Sequence, residues 1–168
     1  MEEKIEKHTI AVLVDNEPGV LARVIGLFSG RGYNIESLTV AEVDGEAHLS
    51  RITLVTSGTR QIVEQIKAQL SRLVPVHKVR DLTDNGPRVE RELALVKVAG
   101  TGERRIEALR LADIYKADVV DATLTSFIFE LTGATEHVDE FIALMSQLGM
   151  VETSRTGVLA MAKGPAGF

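Results

Sequence analysis

Cysteine and tryptophan are absent from the 168-residue chain, and aromatic residues make up only 4% of it. Without cysteine there is no disulfide framework and no thiolate chemistry. So few aromatics exclude a stacking platform for single-stranded nucleic acid. A basic excess is also missing. The chain has 19 Lys and Arg against 24 Asp and Glu, a net charge of -5, which argues against nucleic acid and anionic membranes, because phosphate binding needs a basic patch. No apolar run approaches the ~18 residues of a membrane-spanning helix. The opening MEEKIEKH lacks an apolar stretch, so no signal peptide is expected there. These absences point to the cytoplasm, with neither membrane nor nucleic acid as partner. Recognisable chemistry is equally sparse. His8, His48, His77 and His137 have no metal-ligand spacing, so no metal site is expected. Ser29, Ser37, Ser50 and Ser57 lack a nucleophile elbow. Gly100-Thr101-Gly102 has neither the third glycine of a dinucleotide fingerprint nor the Gly-Lys-Ser/Thr of a P-loop.

What is present is enough apolar material for a packed core, 45% of residues, arranged in a repeated order. HTIAVLV (8–14) reads as a strand. Val20, Leu21, Val24, Ile25 and Phe28 recur at helical spacing between Pro18 and Ser29, with Gly30 or Gly32 fitting the end. YNIESLTVAEV (33–43) is a second strand, DGE (44–46) a hairpin turn, and HLSRITLVT (48–56) its partner. Ile62, Ile66, Leu70 and Leu73 mark a second helix, and VPVHKVRDL (74–82) a fourth strand whose Pro75 suggests an edge. After a polar Gly/Pro-containing linker the order recurs: ELALVKVAG (92–100), a helix at 103–117, a hairpin from DVVDATLTS and FIFELTGA, a helix carrying Val138, Phe141, Ile142, Met145 and Leu148, and a closing strand at 151–163. The expected fold is therefore α+β, with two tandem ferredoxin-like βαββαβ units. Their bounds are 8–83 and 92–164, joined by a linker at 84–91.

The loop DNEPG (15–19) concentrates the polar residues of the first unit. Two readings fit its residue types equally. It is a strand-to-helix turn in which Asp15 or Asn16 caps the free N–H groups of the helix, or a ligand site using those same groups. A helix N-terminus attracts a carboxylate, and Gly19 lets backbone and ligand approach. Asn16 can hydrogen-bond either half of a zwitterionic amino acid, and Val20 and Leu21 are placed to line a small apolar pocket. A second polar residue, Asn34, stands oddly at a strand start. One helix of roughly 18 Å separates it from Asn16, and the flanking strands run parallel in a right-handed crossover. The two asparagines thus belong at opposite ends of one subunit, and they can share a small ligand only if a second copy supplies one of them. Antiparallel pairing of the 33–43 edge across a two-fold axis would do so. A homodimer with two equivalent interfacial pockets is expected, and Ile35, beside Asn34, is counted with the site.

These residues resemble a known family. DNEPGVLARVIGLFSGRGYNIESLTV (15–40), LSRITLV (49–55), VERELALVKV (89–98) and SRTGVLAMAKG (154–164) are similar to the small subunit of acetohydroxyacid synthase, also called acetolactate synthase. The resemblance runs nearly end to end. It implies an ACT domain in the N-terminal half and a related split β-α-β fold in the C-terminal half. It implies a non-catalytic regulatory subunit that binds the catalytic large subunit, raises its activity and confers feedback inhibition by valine in branched-chain amino acid synthesis. It implies thiamine diphosphate, magnesium and FAD on the large subunit and no cofactor on this chain. The family's effector residues correspond here to Asn16, Gly19 and, from the neighbouring subunit, Asn34. Ala41 matches a position where substitution affects feedback sensitivity. Pro18 departs from relatives that carry serine, which stiffens the loop. The second half has no Asp-x-x-Pro-Gly loop, so no ligand residues carry over to it.

Two other classes stand beside this reading. An enzyme acting on pyruvate would need a thiamine-binding Gly-Asp-Gly, whereas Asp44-Gly45 lacks the leading glycine. An RNA-recognition module of similar fold would need the aromatic strand motif and basic face that are missing here.

Overall fold

The computed structural model describes residues 3–168. They form two compact units. One runs to Val89 and takes up Val158–Phe168 again, and the other is Glu90–Gly157. The architecture is α+β, with β-α-β-β-α-β carried out twice.

The first unit comprises β1 (Glu6–Asp15), α1 (Val20–Arg31), β2 (Ser37–Asp44), β3 (Leu49–Gly58), α2 (Arg60–Arg72) and β4 (Val76–Asp81). Its sheet has the order β2-β3-β1-β4, every neighbouring pair antiparallel. The predicted edges are edges: β2 holds one and β4, just after Pro75, the other. Ile10, Val12 and Val14 alternate along β1 onto the face that also buries Val24 and Phe28 of α1 and Val63, Ile66 and Leu70 of α2. That alternation sets the register, because a one-residue slip would turn the whole set to the other face. β2 starts later than the expected 33. Tyr33 still belongs to the end of α1, where its N–H bonds the Phe28 carbonyl and that of Gly32 (φ +69) bonds Ser29. This is the Schellman arrangement that glycine permits after a helix.

The second unit contains most of β5 (Arg88–Ala99), then α3 (Glu103–Ile114), β6 (Asp118–Ala122), β7 (Ser126–Gly133), α4 (Thr135–Ser146) and β8 (Met150–Arg155), with sheet order β6-β7-β5-β8. β5 begins inside the expected linker, which shortens the irregular stretch. Val138, Phe141 and Met145 of α4 pack with Phe127, Phe129 and Leu131 of β7, while α3 contributes only Ala108 and Ala112.

The expected closing strand at 151–163 is two strands. β8 stops at Arg155, and Gly157 takes φ +88, which redirects the chain before β9 (Leu159–Ala162). From Val158 onward the chain belongs to the first unit, not to the second as its place in the sequence suggests. Val158 and Ala160 cover Ala11, Val55 and Leu82 on the sheet face away from the helices. Val158 N–H bonds the Ser37 hydroxyl at 2.7 Å, and Arg51 Nη2 bonds the Ala160 carbonyl at 2.7 Å. The reason is apolar. That sheet face carries buried alanine, valine and leucine that a single layer of helices leaves uncovered.

Gly149 supports β8 by a close approach. Its φ is +96, and a Cβ there would lie 2.4 Å from the Ala99 carbonyl oxygen. Gly149→Ala is expected to destabilise the second unit by roughly 2–4 kcal/mol through strain and overlap, measured by urea unfolding. A loss below about 0.5 kcal/mol, the size of a neutral surface change, would contradict the packing.

Candidate functional site

β1 delivers the loop 15–19 at the end of the sheet where the β2–β3 hairpin turns. Asp15 lies opposite Leu49, and Val14 and Glu42 both lie opposite Ser50. The loop is fastened there by its backbone, since Asn16 N–H bonds the His48 carbonyl at 2.7 Å and Asp15 N–H bonds the Pro75 carbonyl at 2.9 Å. Its side chains do not cap α1, against the turn reading. Asp15 accepts from His77 Nε2 at 2.5 Å, and Asn16 Nδ2 donates to Glu42 Oε2. The N-cap is Gly19 at φ +85, with no side-chain hydrogen bond. Strand pairing turns Asp15 toward β4 and Asn16 toward β2, so neither reaches the helix end.

The consequence is an open helix N-terminus. Val20 N–H makes a long bond to the Glu17 carbonyl at 3.4 Å and Arg23 N–H bonds Gly19 at 3.1 Å. The N–H groups of Leu21 and Ala22 have no acceptor among the described residues. A Cβ on Gly19 would meet nothing within 4 Å, so the chain leaves room beside this residue at the helix start. Asn16 is exposed, and while its amide nitrogen is engaged by Glu42 its carbonyl oxygen has no hydrogen-bond partner among the described residues. Donors for a carboxylate and an acceptor for an ammonium thus lie at one loop. Leu21 is half-buried beside it, whereas Val20, 5% exposed, faces the core and backs the site rather than lining it.

Asn34 and Ile35 are elsewhere. Thr56 donates to the Asn34 carbonyl at 2.6 Å, and Thr56 lies opposite His8 in β1. Asn34 is therefore level with residue 8, and eight residues of strand, roughly 27 Å, separate it from Asn16. The segment is fixed to β3, with Glu36 N–H on the Val55 carbonyl at 2.8 Å and Ser57 Oγ donating to the Glu36 carboxylate. Lys7 pairs with the same carboxylate at 2.9 Å. Ile35 is half-buried against the core and the Asn34 side chain is exposed. Ala41, opposite Arg51 on β2, is exposed on the free edge between the two ends. One protomer thus brings Asn16, Gly19 and Leu21 together, keeps Asn34 and Ile35 apart from them, and leaves the connecting edge unpaired.

Glu42 and the His48 carbonyl were missed by sequence reasoning. An acid within a strand and a backbone oxygen in a turn carry no signal until the hairpin register is known. The fold also gathers His8, Asp81 and Asp84, whose ligating atoms lie within 4.8 Å of one another. Here Lys67 is the cation at hand, its Nζ 3.5 Å from Asp81 and 3.9 Å from Asp84. Burial disfavours its charge, but the hydrogen bond it donates to Glu64 and the carboxylates of Asp81 and Asp84 outweigh that and raise its pKa.

Comparison with known proteins agrees with the fold. The sequence profile described as AHAS small subunit-like ACT domain matches residues 10–78, and the one described as small subunit of acetolactate synthase matches 91–164. The first unit is an ACT domain, and the class is that of a small regulatory subunit. The chain is 49% identical to a probable acetolactate synthase small subunit of Archaeoglobus fulgidus, covering 94% of this chain and 98% of that one. It is 43% identical to the acetolactate synthase isozyme 3 small subunit of Salmonella typhimurium, covering 94% and 96%. The crystal structure of the acetolactate synthase small subunit from Thermotoga maritima superimposes with a TM-score of 0.86 at 39% identity, covering 96% of this chain and 99% of that one. The chain belongs to the acetolactate synthase small-subunit family. No described helix is long and apolar enough to cross a membrane.

The Glu36 strut carries a pH dependence. The Ser57 hydroxyl first, and Lys7 next, hold its carboxyl below the ordinary carboxylate value of 4.5. A group depressed in the folded state contributes stability above its unfolded pKa and loses it as pH falls through the folded one. In Ser57→Ala the Glu36 titration should move up toward 4.5, followed by NMR of its carboxyl carbon. An unchanged midpoint would show that the hydroxyl does not set it.

Proposed function

We propose that this chain binds the catalytic large subunit of acetolactate synthase, raises its activity and makes it subject to feedback inhibition by valine, without catalysing a reaction itself. In this reading the large subunit carries thiamine diphosphate, magnesium and FAD, and the complex works in the cytoplasm at the entry to valine and isoleucine synthesis. The observation that carries the effector site is the separation of Asn16 and Asn34 at opposite ends of a strand whose edge is free. A second copy pairing antiparallel along β2 sets Asn34 of one protomer near the loop of the other, and forms two equivalent pockets.

Each part of the site has a task. The Leu21 and Ala22 N–H groups take the carboxylate of valine, Asn16 Oδ1 takes the ammonium, Asn34 of the partner protomer closes the polar side, and Leu21 and Ile35 hold the isopropyl group. Burying that group contributes roughly 1.5–3 kcal/mol. After ordering costs, this supports sub-millimolar to millimolar affinity, suited to a metabolite that accumulates. Ala41 on the same edge explains a link between its size and feedback: a larger side chain there alters how two β2 strands meet. Valine favours one arrangement of the dimer and the catalytic subunit another, so by linkage each weakens the binding of the other.

Gly19→Asp tests the site. Aspartate tolerates a positive φ better than most residues, at a cost of about 1–2 kcal/mol, and the space is open, so the chain should fold and dimerise. Its carboxylate would occupy the position of the ligand's. Reconstituted with the large subunit, the variant should activate normally and ignore valine, while the unaltered chain is inhibited on titration. Valine inhibition retained in the variant would refute the assignment. A dimer structure with Asn16 and the partner protomer's Asn34 more than about 15 Å apart, beyond joint hydrogen-bond reach of one small ligand, would refute the shared pocket.

A further inference from the structure

The helical layer of the first unit has a charge opposite to that of the chain. α1 and α2 carry Arg23, Arg31, Arg60, Lys67 and Arg72 against one acid, Glu64, a net charge of +4, whereas the whole chain carries -5. Helix capping accounts for part of this, since Arg31 and Arg72 lie in last turns, where a cation is favoured. It does not account for Arg60 at the start of α2 or Arg23 near the start of α1, and neither helix has an acid in its first turn. No carboxylate among the described residues forms an ion pair with Arg23, Arg31 or Arg72.

This basic surface has a groove. A cavity of about 400 Å³ is lined by Gly26, Leu27, Gly30, Arg31, Gln69 and Arg72. Gly26 and Gly30 are four residues apart, hence on one face of α1, and a Cβ at either would meet nothing within 4 Å. Glycine inside a helix destabilises it relative to alanine, and no packing among the described residues requires glycine at these two positions. They leave the backbone of α1 bare along the groove. Gln69 adds an unused acceptor, since its Oε1 is buried without a hydrogen-bond partner.

We infer that the groove between α1 and α2 is the docking surface for the catalytic subunit, and that it receives an acidic, helix-borne segment of that subunit. The inference rests on the proposed regulatory function for the existence of that partner. Charge complementarity chooses the occupant. Arginines without an acidic partner favour a surface that sets carboxylates opposite them, and the bare glycine backbone admits a helix at close range. A second copy of this chain does not fit, because a two-fold contact through this face sets arginines against arginines. The effector loop and the β2 edge stay free for the dimer, so the two surfaces do not compete for residues.

The test uses the full-length chain and its catalytic subunit at low and moderate salt. Arg31→Glu/Arg72→Glu should weaken association at least tenfold and flatten its salt dependence, with valine binding by the free chain unchanged. Gly30→Ala should raise the melting temperature of the chain, since the methyl group has room and helix propensity improves, yet weaken association about threefold or more. A merely structural glycine would not give that opposite pair of effects. Association within twofold of the unaltered chain in both variants overturns the docking surface while leaving the regulatory function standing. An unaltered chain that fails to bind the catalytic subunit at all overturns the function and the inference with it. Salt-dependent binding of RNA or DNA that the double arginine variant loses, with subunit association intact, overturns the inference in favour of a nucleic-acid surface.

Discussion

Strand β3 pairs with ten residues of β1 on one side and with β2 on the other, and the geometry of the first unit follows from this double pairing. Because β1 and β2 are both antiparallel to β3, they run parallel to each other. The loop that ends β1 and the segment that begins β2 must then lie at opposite ends of the sheet. The pairing is held by burial. The core residues of β1 and β3 alternate onto the helix side, and a slip of one residue would turn all of them away from the helices. A site that needs both Asn16 and Asn34 is incomplete in one copy of this chain for that reason, and in the proposed dimer the other half would come across the free edge of β2.

The same constraint turns a plain loop into an open one. Asp15 and Asn16 are the residue types that cap helices, but the sheet draws their side chains to His77 and Glu42. Gly19 then starts α1 in a conformation that supplies no cap. The uncapped N–H groups and the open room beside Gly19 are two outcomes of one backbone arrangement. The proposed regulation by a small zwitterion would be chemically economical here, because a weak, reversible contact to backbone donors is enough for a metabolite sensor.

The two halves divide the work unequally. The first unit carries the polar loop, the free edge and a basic helical layer, and its far sheet face is closed by the chain's own last strand. The second repeats the β-α-β-β-α-β order without a matching loop, and its aromatic core from β7 and α4 is built for packing. One fold used twice, with the polar loop in only one copy, illustrates that a fold does not by itself define a function.

Much of this was legible in the sequence. The β-branched run of β1, the helical spacing of Val20, Val24 and Phe28, and the Asp44-Gly45 turn are local properties, and local sterics and burial determine them. The edge position of β2 and the separation of Asn16 from Asn34 also followed, because a right-handed crossover leaves little choice. Tertiary structure decided what depends on register and on distant chain. It engaged Asn16 with Glu42, buried Val20 behind the site, and gave Lys67 to the carboxylates of Asp81 and Asp84. It also returned residues 158–168 to the first unit. The physical reason is the same throughout. Amino-acid type and spacing determine which backbone states are favourable nearby, whereas which polar group meets which, and which apolar face still lacks cover, is settled only when strands far apart in the chain are side by side.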